Sequence, residues 1–307
     1  MLIGVDVGGT NLRIGVVEGL KIIDEQRIHA DFSRLCRDNP PAVALPAIHA
    51  ALAESLAATM QKFPEIAGVG IGFPGFIDPI TGCISQSPNL PGLRDIDLVT
   101  PLRKCLGVPV IVENDALAAA YGEYALAGLD VPGLIYLGLG TGVGGGLIHR
   151  GRPFPGEHGV AMEVGHIIVE PGGRSCGCGN QGCMERYSSA SGVALSYFES
   201  TGLTKETFEI AALASSGDAH ALAAFEMAGE KLAQALAHIL KVVDVANVII
   251  GGGMSLAWPY MSPAFERRLE ADLIPVLRGR IRITPSHADD QAGIIGAAML
   301  AVSQLSE

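Results

Sequence analysis

Apolar positions along the chain follow two periods. Residues 2–7 and 12–17 are short apolar runs parted by Gly8-Gly9-Thr10-Asn11, which predicts a β-hairpin with a glycine turn. After Pro40-Pro41, Ile48, Leu52 and Leu56 recur four apart and predict an amphipathic helix closing at Thr59-Met60. A strand over 66–72 ends in Gly72-Phe73-Pro74-Gly75, and a loop-rich stretch runs on to Pro101. Residues 108–112, VPVIV, predict another strand, with Asn114-Asp115 opening an alanine-rich helix to about 127.

The second half repeats the theme. Strand, glycine turn and strand are predicted over 133–148, around LGTGVGGG at 139–146. Glycine and cysteine fill 156–183 with little regular pattern. Helices are predicted over about 205–215 and 219–243, the longer one with Leu222, Phe225, Leu232, Leu236, Ile239, Leu240 and Val243 on its apolar stripe. A strand over 246–250 leads into Gly251-Gly252-Gly253, and a helix, a strand over 280–284 and a helix over 289–303 follow. Two glycine-turn hairpins, one in each half, are a faint internal repeat. They predict two α/β lobes with a ligand cleft between them.

Composition sharpens this picture. Glycine supplies 40 of 307 residues, against a usual share of ~7 %, so backbone must pass close to backbone or to a ligand. Asp and Glu number 32 against 21 Lys and Arg, a net charge of −11. That argues against a nucleic-acid or anionic-membrane partner, which needs basic surface, but not against a nucleotide. The uncharged span Val131–Ile148 holds seven glycines and one proline in 18 residues, a poor lipid-facing helix. The MLIGVDVGG start lacks a basic n-region, and Cys36, Cys83 and Cys105 stand isolated. Both point to a reduced, cytoplasmic protein without a disulfide framework.

The glycine turns carry the first candidate chemistry. In Asp6-Val7-Gly8-Gly9-Thr10, side-chain-free amides can approach a phosphate, with Thr10 and Asn11 as further donors. Asp6 would repel the phosphate unless a cation, most simply Mg²⁺, stands between them. Thr141 and Gly142 repeat the arrangement, and Gly251, Gly252 and Gly253 end a strand where a flat ligand can lie on bare backbone. Neither turn is a Walker A loop or a dinucleotide fingerprint. Asp115, between strand and helix, has two readings: helix cap, or general base for an alcohol attacking a phosphoryl group. Asn114 as the cap would leave Asp115 to point outward.

His166, Cys176, Cys178 and Cys183 form H-x9-C-x-C-x4-C interleaved with glycines. Three thiolates and an imidazole suit a closed, structural Zn²⁺ site with no position for water. Glu163 and Glu185 flank it and can face a polyhydroxylated ligand, or be ordinary solvated carboxylates.

Together DVGGT at 6–10, ENDA at 113–116, LGLGTGVGGG at 137–146, E-x-G-H at 163–166, CGCGNQGCME at 176–185 and IIGGG at 249–253 resemble the ROK family, and within it the bacterial glucokinase-like sugar kinases. The resemblance implies an α/β, actin-like (ribonuclease-H-like) ATPase fold, two lobes around a central cleft, with the terminal helix returning to the first lobe. The division then expected is 1–115 plus 290–307 for the small lobe and 116–289 for the large one. It implies ATP-dependent phosphorylation of a hexose at the 6-hydroxyl, with Asp115 as catalytic base. Asn89, Asn114, Glu163, His166 and Glu185 match sugar-binding positions, the two turns match phosphate motifs, and 251–253 the adenosine side. ATP, Mg²⁺ at Asp6, structural Zn²⁺ and a homodimer complete what it implies.

Two positions depart from the family pattern. Leu117 stands where members often carry asparagine, and Met162 where the residue before the sugar-binding glutamate is typically glycine. Met162 bears on which sugar is accepted. Glucose leads, with fructose, mannose, allose or an N-acetylhexosamine as alternatives. A reading of another class is a non-catalytic sugar sensor or regulator. A regulator of this family carries a helix-turn-helix ahead of the kinase-like part, and here the first phosphate motif begins at residue 6.

Overall fold

The computed structural model describes all residues except 9, 88–89, 129–130, 289–290 and 304–307. Its first half opens with β1 (Leu2–Val7), β2 (Asn11–Glu18) and β3 (Lys21–His29), followed by α1 (Phe32–Asp38) and α2 (Pro41–Lys62). Then come β4 (Val69–Phe73), the short strands β5 (Phe76–Ile77), β6 (Ile84–Gln86) and β7 (Arg94–Ile96), α3 (Val99–Leu106), β8 (Val110–Asn114) and α4 (Asp115–Leu126). β3 escaped the hydrophobic pattern because it is an edge strand whose residues are half-buried at best. The expected loop to Pro101 holds the small β5–β6–β7 sheet and the start of α3, elements too short to leave a period.

The second half runs through β9 (Gly133–Leu139), β10 (Val143–His149), β11 (Arg152–Pro153), a 3-10 turn at Val164–His166, α5 (Glu185–Ser188), α6 (Ala190–Thr201), α7 (Thr207–Ser215) and α8 (Ala219–Val243). It closes with β12 (Asn247–Gly251), α9 (Trp258–Asp272), β13 (Arg282–Pro285) and α10 (Gln291–Ser303). Phe225, Leu232, Leu236, Ile239 and Leu240 of α8 are buried as their spacing predicts, while Leu222 and Val243 are only half-buried.

The faint repeat becomes explicit in the sheets. One is ordered β3-β2-β1-β4-β8 and the other β11-β10-β9-β12-β13. In each, a glycine-turned hairpin is extended by a third strand on one side and by two parallel strands on the other.

The chain divides into two compact units. One is Met1–Pro132 with Gly146–Ala161 and Ala288–Glu307; the other is Gly133–Gly145 with Met162–His287. These bounds differ from the expected 1–115 plus 290–307 against 116–289. The reason is α4, which packs on α10 and on the second half of β10. A Cβ at Gly122 would overlap the Ala292 carbonyl, one at Gly296 the Ala118 carbonyl, and one at Gly146 would stand 3.0 Å from the Ala116 oxygen.

Within the first unit, α10 also lies directly on the sheet. A Cβ at Gly4 would overlap the Ile294 carbonyl, and one at Gly70 the Ala297 carbonyl. Much of the glycine excess therefore serves helix-on-strand and helix-on-helix contact rather than ligand binding. The opposite face of the sheet is sealed by α2, whose Ile48, Leu52 and Leu56 are fully buried with Ile3, Val5, Ile71 and Phe73. Each such side chain contributes roughly 1.5–3 kcal/mol over leaving it in water. α2 is also long and apolar enough to cross a membrane by length and composition, but this stripe is spent on the core.

Candidate active site

In the first unit, three strands end side by side. Asp6 on β1 pairs in register with Gly72 on β4, and Gly72 with Glu113 on β8. Lateral partners share a face, so Asp6 and Glu113 point to one side with only a glycine between them. That face looks toward the first turn of α10, where a Cβ at Gly293 would stand 3.6 Å from an Asp6 oxygen. Arg13, opposite Asp6, spends its guanidinium on Glu25 at 2.9 and 3.0 Å. It stands 3.8 Å from Asp6, an ion-pair distance rather than a hydrogen bond.

The adjoining turn closes with Gly8 N–H donating to the Asn11 carbonyl at 2.9 Å, and Asn11 Nδ2 donates to Thr10 Oγ1 at 3.1 Å. Thr10 and Asn11 are exposed. Gly9 lies outside the described residues, as does Asn89.

At the β8–α4 junction Asn114 is the cap. Its Oδ1 accepts from Leu117 N–H at 3.0 Å and its Nδ2 donates to the Gly75 carbonyl at 3.0 Å. Asp115 is the first residue of the helix, its Oδ1 accepting from Ala116 N–H at 2.8 Å. Glu113, which the sequence did not single out, accepts from Asn114 N–H at 2.8 Å; burial nevertheless pushes its carboxyl up to about 7.

In the second unit, the glycine turn between β9 and β10 is bridged by Gly140 N–H donating to the Gly142 carbonyl at 2.9 Å. A segment beginning at α5 grips it. Val143 N–H donates to Glu185 Oε2 at 3.0 Å, Ala190 N–H to the Gly140 carbonyl at 2.8 Å, and Ser191 Oγ to the Thr141 carbonyl at 2.9 Å. Glu185 is thus neither a solvated surface carboxylate nor wholly given to a ligand. Sequence reasoning missed Ala190 and Ser191; the only local hint was the serine-rich run at 188–191 that caps α6.

His166, Cys176, Cys178 and Cys183 bring their ligand atoms within 4.8 Å of one another. Cys176 Sγ is 3.6 Å from His166 Nδ1, and Cys178 Sγ is 3.6 Å from Cys183 Sγ. Zn–S bonds of ~2.3 Å give a tetrahedron with edges of about 3.8 Å, so the donor set fits one ion. Burial pushes the Cys183 thiol up to about 12, while the Asn180 backbone N–H lowers that of Cys178. A bound cation would hold all three as thiolates. All six cysteines are free.

With Nδ1 facing the sulfurs, His166 turns Nε2 toward Glu163, whose Oε2 is 3.8 Å away. The Glu163 carboxyl, 40 % exposed, is raised by desolvation, with His166 opposing and Glu185 adding a smaller push upward.

The three glycines after β12 do not behave alike. A Cβ at Gly251 would run into the Tyr136 ring at 2.5 Å, and one at Gly252, whose φ is +79°, into the Leu139 carbonyl. Only Gly253 opens on free space, with nothing within 4 Å. The first two glycines thus also make room for the protein itself.

The ROK family matches residues 2–304. The chain belongs to the ROK family. It is 31 % identical to a glucokinase of Halalkalibacterium halodurans over 98 % of this chain and 95 % of that one. It is 33 % identical to an N-acetylmannosamine kinase of Citrobacter koseri, over 97 % and 98 %. A ROK glucokinase from Streptomyces griseus, solved in complex with glucose and AMPPNP, superposes with a TM-score of 0.81 at 31 % identity, covering 98 % of this chain and 99 % of that one. The fold is the actin-like ATPase fold of ROK sugar kinases, as the motifs imply.

Against the ROK pattern, Met162 is the departure with a structural signature. It holds φ at +66°, the left-handed region that suits glycine and strains a side-chain-bearing residue. Its carbonyl accepts from Val164 N–H at 2.6 Å and sits where a Cβ at Gly145 would come within 2.5 Å. Methionine therefore keeps a glycine-type backbone immediately before Glu163.

Proposed function

We propose that this protein is an ATP-dependent hexose kinase that phosphorylates the 6-hydroxyl, with glucose as preferred acceptor. The observation that carries the reading is the β8–α4 junction. Asn114 takes the Leu117 N–H as helix cap, and Asp115, whose Oδ1 accepts the Ala116 N–H at 2.8 Å, stands beside it where strand meets helix, within a chain that matches the ROK family over 2–304. Asp115 accepts the proton of the attacking hydroxyl as its oxygen bonds to the γ-phosphorus and the bond to the ADP oxygen breaks.

Asn89, Asn114, Glu163, His166 and Glu185 hold the sugar hydroxyls. Gly8, Gly9, Thr10 and Asn11 of one turn, and Thr141 and Gly142 of the other, hold the phosphates, with Gly251, Gly252 and Gly253 on the adenosine side. Asp6 holds Mg²⁺ or its waters, and the ion neutralises phosphate charge when bound. His166, Cys176, Cys178 and Cys183 hold Zn²⁺. That ion is structural, ordering a loop with little apolar area of its own, and it fixes the tautomer that turns His166 Nε2 toward Glu163.

Free cysteines and the family resemblance support a cytoplasmic homodimer. The second reading, an N-acetylhexosamine kinase, is favoured by the Citrobacter koseri relative. An ADP-release assay over glucose, fructose, mannose, allose, N-acetylglucosamine and N-acetylmannosamine, ranked by kcat/KM, tests both. Highest kcat/KM for glucose supports the proposal, and highest for an acetylated sugar selects the second reading. Sugar binding without phosphate transfer leaves a sensor.

A further inference from the structure

Carbonyl and amide of one trans peptide point in opposite directions, and among the described residues no peptide is cis. That fixes the second glycine turn. The Gly140 carbonyl is held by Ala190 N–H and the Thr141 carbonyl by Ser191 Oγ. The N–H groups sharing those two peptides, of Thr141 and Gly142, are thereby aimed away from α6. Among the described residues no acceptor meets either of them. They are the two amides the turn can offer a phosphate. The third, of Val143, is taken by Glu185 Oε2 at 3.0 Å.

Glu185 reaches that amide only because residue 142 is glycine: a Cβ there would stand 2.5 Å from the same carboxylate oxygen. It is also the one carboxylate of the brace, so its bond is the charge-assisted one. The Glu185 carbonyl in turn accepts from Ser189 Oγ at 2.7 Å, and the residue stands two positions after the thiol of Cys183. The cysteine loop, the brace and the turn are therefore linked through one residue, whose carboxylate holds the turn.

We infer that Glu185 is a positioning residue for the nucleotide: by fixing Val143 N–H it sets the Thr141 and Gly142 amides for phosphate, in addition to any contact with sugar. The inference rests on the kinase reading above. It predicts a dependence on Glu185 in the absence of sugar, which a purely sugar-binding residue would not produce.

The test is calorimetric binding of ADP with Mg²⁺ and no sugar to wild type, Glu185→Gln and Glu185→Ala, with amide hydrogen exchange at Val143 followed in each. Glutamine retains an acceptor oxygen, so Glu185→Gln binds ADP no more weakly than wild type and keeps Val143 protected. Loss of one charge-assisted bond corresponds to about tenfold, so Glu185→Ala binds about tenfold more weakly and Val143 exchanges fast. Zinc per chain is measured in all three to show that the cysteine loop is intact. If Glu185→Ala does not fold, Glu185→Asp, one methylene too short to keep the bond, shows the same direction. Wild-type affinity in Glu185→Ala or Glu185→Asp overturns the inference and leaves the kinase reading standing. Failure of wild type to bind ADP overturns the kinase reading, and this inference with it.

Discussion

Asn114 Oδ1 accepts the Leu117 N–H at 3.0 Å, so the cap of α4 is the residue before Asp115, while Asp115 Oδ1 takes the Ala116 N–H at 2.8 Å. The same side chain donates from Nδ2 to the Gly75 carbonyl at 3.0 Å, tying the start of α4 to the loop that follows β4. In the sequence either Asn114 or Asp115 could be the cap; in the fold it is Asn114.

Asp115→Asn is expected to leave the fold and ADP affinity unchanged and to lower kcat by at least about 10²-fold, the range for loss of a general base. Asn114→Ala is expected to act on stability as well, by about 1 kcal/mol for the lost cap. Turnover assays beside thermal melts separate the two. Near-normal kcat in Asp115→Asn would remove it from the base's role.

The purified protein is expected to carry one Zn²⁺ per chain, and chelation to lower the melting temperature. Cys178→Ser replaces one of the four donors and should reduce zinc content. Elemental analysis giving no zinc, with Cys178→Ser melting like wild type, would remove the metal site.

Glu113 makes stability pH-dependent. Burial raises its folded carboxyl from an ordinary 4.5 to about 7, so between those values the native state binds more protons than the unfolded chain. Stability from this group is then highest below about pH 4.5 and falls as pH rises toward 7. Glu113→Gln has no proton to lose. Urea midpoints should show the variant gaining on wild type across this window, by on the order of 1–3 kcal/mol. Parallel pH profiles for the two proteins would contradict the assignment.

Gly70→Ala should be costly, because the new Cβ would overlap a backbone carbonyl of α10 that cannot move alone. A loss of about 3 kcal/mol or more is expected, at the top of the range for overpacking. Gly107→Ala is the contrast: φ there is +72° but nothing lies within 4 Å, so only the left-handed penalty of roughly 1–2 kcal/mol applies. Equal melting temperatures for the two variants would contradict the packing account.

Local pattern carried a great deal. Residue spacing determined the two hairpins, α2, α4, α8 and α10, because side chains two apart in a strand, or three or four apart in a helix, share one face of a single element. The H-x9-C-x-C-x4-C set was equally legible, since a short glycine-rich segment can close on itself. Composition could report too much glycine but not its use: Gly4 and Gly70 meet α10 more than 200 positions downstream. The partners of Glu185 and the occupants over Gly251 and Gly252 were likewise decided only by tertiary structure. A polar group or bare backbone left unpaired by its own element takes whatever the fold brings alongside, and that neighbour is remote in the chain.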